Sequence, residues 1–106
     1  GYDDIFQRQV EALAKKGDVA LGISTSGNSK NVIKGLELAK KMGCVTIAFS
    51  GKGGGPMAKS EAIDLCLTVP SDFTPHVQES QIAMGHILCF IVERELLRRK
   101  FIKARK

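Results

Sequence analysis

No apolar run in this 106-residue chain approaches the roughly 20 residues that a membrane-spanning helix needs. A secretory leader is not expected either, because the first residues, GYDDIFQRQ, are polar and acidic where a leader is basic and then apolar. CxxC spacing is absent, and the three cysteines, Cys44, Cys66 and Cys89, sit in apolar surroundings. An odd count so placed argues against a disulfide framework or a zinc knuckle. It predicts buried free thiols in a reducing cytoplasm. Neither GxxxxGK[ST] nor GxGxxG occurs, so no nucleotide cofactor is expected. There are no internal repeats, no zinc-finger spacing and no RNP-like aromatic pattern, so no motif supports nucleic acid as a partner.

What is present is ordinary globular composition, 43% apolar and 25% charged, in a length that suits one compact domain. The formal charge of +5 is unevenly spread. Residues 98–106 carry Arg98, Arg99, Lys100, Lys103, Arg105 and Lys106 and no acid. This basic C-terminal tail, set apart from a domain over residues 1–97, can bind nucleic acid or an acidic surface, but reads first as a solvated helix end whose cations suit the helix dipole.

Along the chain, Ile5, Phe6, Gln9, Val10 and Leu13 recur at spacings of three and four, which predicts an amphipathic helix over 3–15. VALGIST (19–25) reads as a short strand, followed by a polar SGNS turn. Val32, Ile33, Leu36, Ala39 and Met42 form the stripe of a second helix, stopped at Gly43. CVTIAFS (44–50) and residues 65–69 read as further strands, separated by a glycine loop, GKGGGP (51–56), and one helical turn over 57–60. A loop over 70–75 precedes a long helix from Val77 to about Lys100. Strands apolar on both faces and separated by helices predict an α/β fold, a three-layer parallel sheet with helices on both faces. Three strands leave two open edges, so an upstream portion or neighbouring copies are expected to complete the sheet. Ligands in such sheets bind beyond the carboxyl ends of the strands.

The segment 22–31, GISTSGNSKN, falls at that position. A strand ending there and a helix opening near Asn28-Ser29 leave unpaired N–H groups where the dipole favours negative charge. The hydroxyls of Ser24, Thr25, Ser26 and Ser29 can share that space, and Gly27 lets the backbone turn closely. Capping the helix would take one residue, Ser26 or Asn28. Four hydroxyls in six residues exceed that need and suit a phosphate monoester.

These residues, with the glycine loop, VPS and VQESQIAMGHILCFIVE, resemble the sugar isomerase (SIS) domain, and within it the phosphoheptose isomerases. The resemblance covers about Tyr2 to Glu95. It implies a flavodoxin-like SIS sheet here lacking its N-terminal helices and first strand. It also implies interconversion of sedoheptulose 7-phosphate and D-glycero-D-manno-heptose 7-phosphate through a cis-enediol, in heptose and lipopolysaccharide precursor synthesis. Substrate binding by Ser24, Thr25, Ser26, Ser29 and Gln78 follows from it. His86 becomes the catalytic acid–base residue, working with a glutamate that lies upstream of the serine turn and outside this chain.

Several members of the family bind zinc, which implies Gln78 and His86 as metal ligands. Eight helical residues rise about 12 Å and turn about 80°, so a shared ion is reached only at full stretch, more easily were Gln78 to precede the helix. Without the resemblance, His86 in AMGHILCF would read as a packed core histidine. Gly85, beside it, weakens a helix and hints at a close neighbour. His76 is expected at the surface, and Glu79 reads as a complement to the helix dipole.

The family often has histidine where Gln81 stands, and arginine or an acid near Pro75 to Val77, so the sugar stays open. Family members are homotetramers with sites between subunits, and the long final helix suits such an interface. Two further functions remain open beside the isomerase. One is a non-catalytic SIS protein resembling the DnaA initiator-associating proteins, and the other a phosphosugar-sensing SIS domain.

Overall fold

The computed structural model describes residues 4–100. The elements are α1 (Ile5–Leu13), β1 (Val19–Ile23), α2 (Lys30–Lys41), β2 (Val45–Gly51), α3 (Gly55–Lys59), β3 (Leu65–Val69) and α4 (Thr74–Arg98). All three strands are parallel in the order β1-β2-β3. The predicted α/β architecture is therefore present. Of the expected basic tail, residues 101–106 lie outside the described residues. Arg98 is still helical, and both it and Arg99 pair back onto Glu95.

Helix ends follow local chemistry. Gly43, at φ +89, takes the chain out of α2 through a left-handed turn. Proline near the start of α3 and of α4 fits the first helical turn, where its missing N–H costs nothing. For this reason both helices start earlier than their apolar pattern suggests. Pro56 and Pro75 lie inside α3 and α4, not in the preceding loops.

Register separates the two faces of the sheet. Ala20 and Gly22, Thr46 and Ala48, and Cys66 alternate onto one face, against Leu36 of α2 and Met57 of α3. This is the core. At Gly22 any Cβ would lie within 3 Å of Val32 and Leu36, so α2 rides directly on the backbone of β1. Asp64 ties the start of β3 to β2 by accepting the Thr46 N–H at 2.9 Å.

The opposite face carries Val19, Leu21, Ile23, Val45, Leu65 and Leu67, all exposed. The expectation of strands buried on both faces therefore holds for the carboxyl half of β2 but not for β1 or β3. Only the first two turns of α4 lie on this face, at its carboxyl end, where Val77 and Phe49 are fully buried. Helix α1 also buries none of its stripe among the described residues, because it packs chiefly on α2. Of the cysteines only Cys44 is buried; Cys66 is half-buried and Cys89 exposed, on the part of α4 that runs past the sheet. No helix among the described residues is long and apolar enough to cross a membrane.

Candidate functional site

The carboxyl ends of β1 and β2 meet the start of α4. Gly51 permits that approach: a Cβ there would lie 2.5 Å from Val77 and 2.6 Å from the Thr25 carbonyl. The result is a cleft of about 800 Å³ between the serine turn and α4. Ser24, Thr25 and Ser29 line one side. Gln78, Gln81, Ile82, Gly85, His86 and Cys89 line the other, a helical face set by spacings of three and four. Leu21 and Ile23 form an apolar wall.

The turn is held by its own hydroxyls. Ser24, 4% exposed, accepts the Gly27 N–H at 3.0 Å, and its Oγ lies 2.8 Å from the Ser29 Oγ. Ser26 Oγ accepts the Asn28 N–H at 3.1 Å. Neither Ser26 nor Asn28 caps α2. Ser29 is the N-cap, and it makes no side-chain cap bond. The backbone N–H groups of Thr25, Ser26 and Ser29 take no partner among the described residues. Several donors therefore stay available beside a helix N-terminus, the arrangement an oxyanion requires.

A second loop supports the turn from behind. Gly27, at φ +70, passes so close to the glycine loop that a Cβ would lie 2.1 Å from the Gly54 carbonyl. The Gly27 carbonyl in turn accepts the Met57 N–H at 3.1 Å. Glycine is needed here for both conformation and space.

The structure brings Ser24, Thr25, Ser29, Gln78 and His86 to one cleft, while Ser26 does not line it. Ser24 is buried, with its hydroxyl engaged inside the turn, so it shapes the turn. Thr25 and Ser29 are half-buried and retain bonding capacity. His86 is exposed in the cleft and is not a packed core histidine. Gly85 has no neighbour within 4 Å of where a Cβ would lie, so the close contact it suggested is absent among the described residues. His76 is exposed as expected, its ring 4.7 Å from that of Phe73.

Nothing in the sequence alone marks Gln81 as a site residue. It is 4% exposed, and its Nε2 donates to the Ser24 carbonyl at 3.2 Å. The i+4 spacing from buried Val77 was the available signal.

Zinc does not fit these residues by themselves. Because α4 starts at Thr74, Gln78 lies inside the regular helix and the full rise of about 12 Å to His86 applies. No group of three or more His, Cys, Asp or Glu side chains converges among the described residues. Gln78 and His86 would supply two donors of the four that zinc ordinarily takes.

Known proteins share this fold and much of this sequence. The phosphoheptose isomerase of Sulfurimonas denitrificans is 53% identical over 96 residues, 91% of this chain and 48% of that relative. That of Aneurinibacillus thermoaerophilus is 46% identical over 105 residues, 99% of this chain and 52% of the relative. A solved phosphoheptose isomerase from Neisseria gonorrhoeae superposes with a TM-score of 0.82 at 40% identity, covering 89% of this chain and 52% of that one. The chain thus spans about half the length of the relatives it matches. The SIS domain model matches residues 1–89, and with the parallel sheet and the serine turn in place, the chain belongs to the SIS domain family.

Proposed function

We propose that this chain is the phosphate-holding and proton-transferring part of an aldose–ketose isomerase acting on sedoheptulose 7-phosphate. The observation that carries the reading is the placement of the serine turn and His86 on opposite sides of one cleft. The turn offers Thr25 and Ser29 hydroxyls and unpaired amides to the phosphate, and Ser24 holds their geometry. The imidazole of His86 can pass a proton to or from the substrate oxygens as the enediol forms and collapses. The partner base is assigned to a glutamate outside this chain. The product is D-glycero-D-manno-heptose 7-phosphate, a precursor in lipopolysaccharide synthesis, made in the cytoplasm.

Zinc belongs to the proposal as an ion shared by Gln78 and His86 with donors from outside the described residues. No step above passes through it. Assembly into a homotetramer is supported by α4, whose Ile87, Phe90, Ile91 and Val92 are all exposed, Phe90 at 65%.

The test is an isomerase assay of the full-length protein with sedoheptulose 7-phosphate, paired with sedimentation to establish its oligomeric state. Turnover that is competitively inhibited by inorganic phosphate supports the reading. Absence of turnover, with phosphate still bound, would favour a sensing role.

A further inference from the structure

We infer that Gln81 is a positioning residue for the phosphate-holding turn, an assignment that rests on the isomerase reading above. Burying a primary amide on a helix is costly unless it is hydrogen-bonded. Gln81 is 4% exposed, and its bond goes to the Ser24 carbonyl, 57 positions away in sequence, rather than to its own helix. Only the NH2 end of the side chain can face a carbonyl oxygen, so the direction of the bond is set.

The location gives this bond its consequence. Ser24 is the first residue past β1, and its N–H is already held by the Phe49 carbonyl at 2.9 Å. With Gln81 holding its carbonyl, both backbone polar groups of Ser24 are fixed. The Ser24 carbonyl and the Thr25 N–H belong to one peptide plane and point in opposite directions. Holding the carbonyl toward α4 therefore fixes the direction of the Thr25 N–H, which has no partner among the described residues. A flip of this peptide would break the Gln81 bond and reverse the Thr25 N–H within the turn.

The Ser24 hydroxyl, which organises Gly27 and Ser29, moves with the same residue. Gln81 also lies five residues before His86 on α4, about 7.5 Å along the axis. The bond thus ties the phosphate cradle to the helix that carries the proton-transfer group.

Two near-isosteric variants of the full-length protein test this. Gln81→Met keeps the shape and removes the donor; Gln81→Glu replaces the donor with an acceptor that opposes the carbonyl. The expected result for Gln81→Met is a KM for sedoheptulose 7-phosphate raised about five- to tenfold, the loss of one hydrogen bond. The inhibition constant of inorganic phosphate should rise by the same factor, with kcat falling less. Gln81→Glu should exceed both effects. A packing role alone lowers the active fraction and leaves KM and phosphate inhibition unchanged, and that result in Gln81→Met would overturn the inference alone.

Should the variants not fold, the side-chain amide of Gln81 in the unsubstituted protein serves as the probe. Its protons should exchange more slowly when inorganic phosphate is titrated in, and unaltered exchange at saturating phosphate would overturn the assignment. An unsubstituted protein with neither turnover nor phosphate binding would overturn the isomerase reading and this inference together.

Discussion

The hydroxyl oxygens of Ser24 and Ser29 lie 2.8 Å apart, joining the end of β1 to the N-cap of α2 across the serine turn. Ser24 also accepts the Gly27 N–H, so one buried oxygen holds three points of the loop. Replacing it removes an internal brace and exposes the turn to collapse.

Ser24→Ala is expected to destabilise the fold by about 1–3 kcal/mol, since the buried Gly27 N–H loses its acceptor. Substrate affinity should fall as well, because the turn no longer holds its shape. Ser29→Ala should cost less stability, about 1 kcal/mol, since Ser29 is half-buried and makes no cap bond. Denaturant midpoints of the two variants give the comparison, and a Ser24→Ala midpoint equal to the unsubstituted one would remove the bracing role.

Gly27→Ala and Gly53→Ala separate crowding from conformation. Both glycines have positive φ, +70 and +82, but a Cβ at Gly27 meets the Gly54 carbonyl whereas one at Gly53 meets nothing within 4 Å among the described residues. Gly53→Ala should cost about 1–2 kcal/mol, the left-handed penalty alone. Gly27→Ala adds an overpacking cost of about 1–3 kcal/mol. Equal costs in thermal unfolding would show that the two loops separate freely.

His86→Ala should lower kcat by about 10²- to 10⁴-fold, the range of general acid–base catalysis. Because His86 is exposed, its removal should change stability by no more than about 0.5 kcal/mol. Turnover per folded molecule, measured beside a melting curve, distinguishes lost chemistry from lost structure. Retained turnover would exclude the acid–base role.

Acid should loosen the β2–β3 junction. The Lys40 ammonium and the Thr46 N–H hold the Asp64 carboxyl below its usual value of about 3.8. Its folded pKa is depressed, so the unfolded chain takes up the proton first as pH falls. The contribution is present above that usual value and is lost as acidification continues through the folded one. Asp64→Asn should therefore flatten the pH dependence of stability in that acidic window. Acid titration followed by circular dichroism measures it.

The local signals read most directly were those with a local cause. The stripe ending at Gly43 predicted α2, because a left-handed glycine stops a helix whatever surrounds it. Residues 65–69 form the strand expected of them, and GISTSGNSKN forms the turn expected between the end of β1 and the start of α2. Helices α3 and α4 start earlier than the sequence suggests, because Pro56 and Pro75 read as loop residues in sequence but occupy first-turn positions in space.

The order of elements, the parallel sheet and the serine turn are legible along the chain, since periodicity, turn residues and strand-end chemistry act over a few neighbouring residues. Tertiary structure decided what depends on distant parts of the chain. The burial of Ser24 and the exposure of His86 and Cys89 follow from α4 crossing the sheet only with its first turns. The bond from Gln81 to Ser24 joins positions 57 apart, and the seat of Gly27 against Gly54 joins two loops. Periodicity shows which side of an element is apolar, but only packing between elements sets what that side meets.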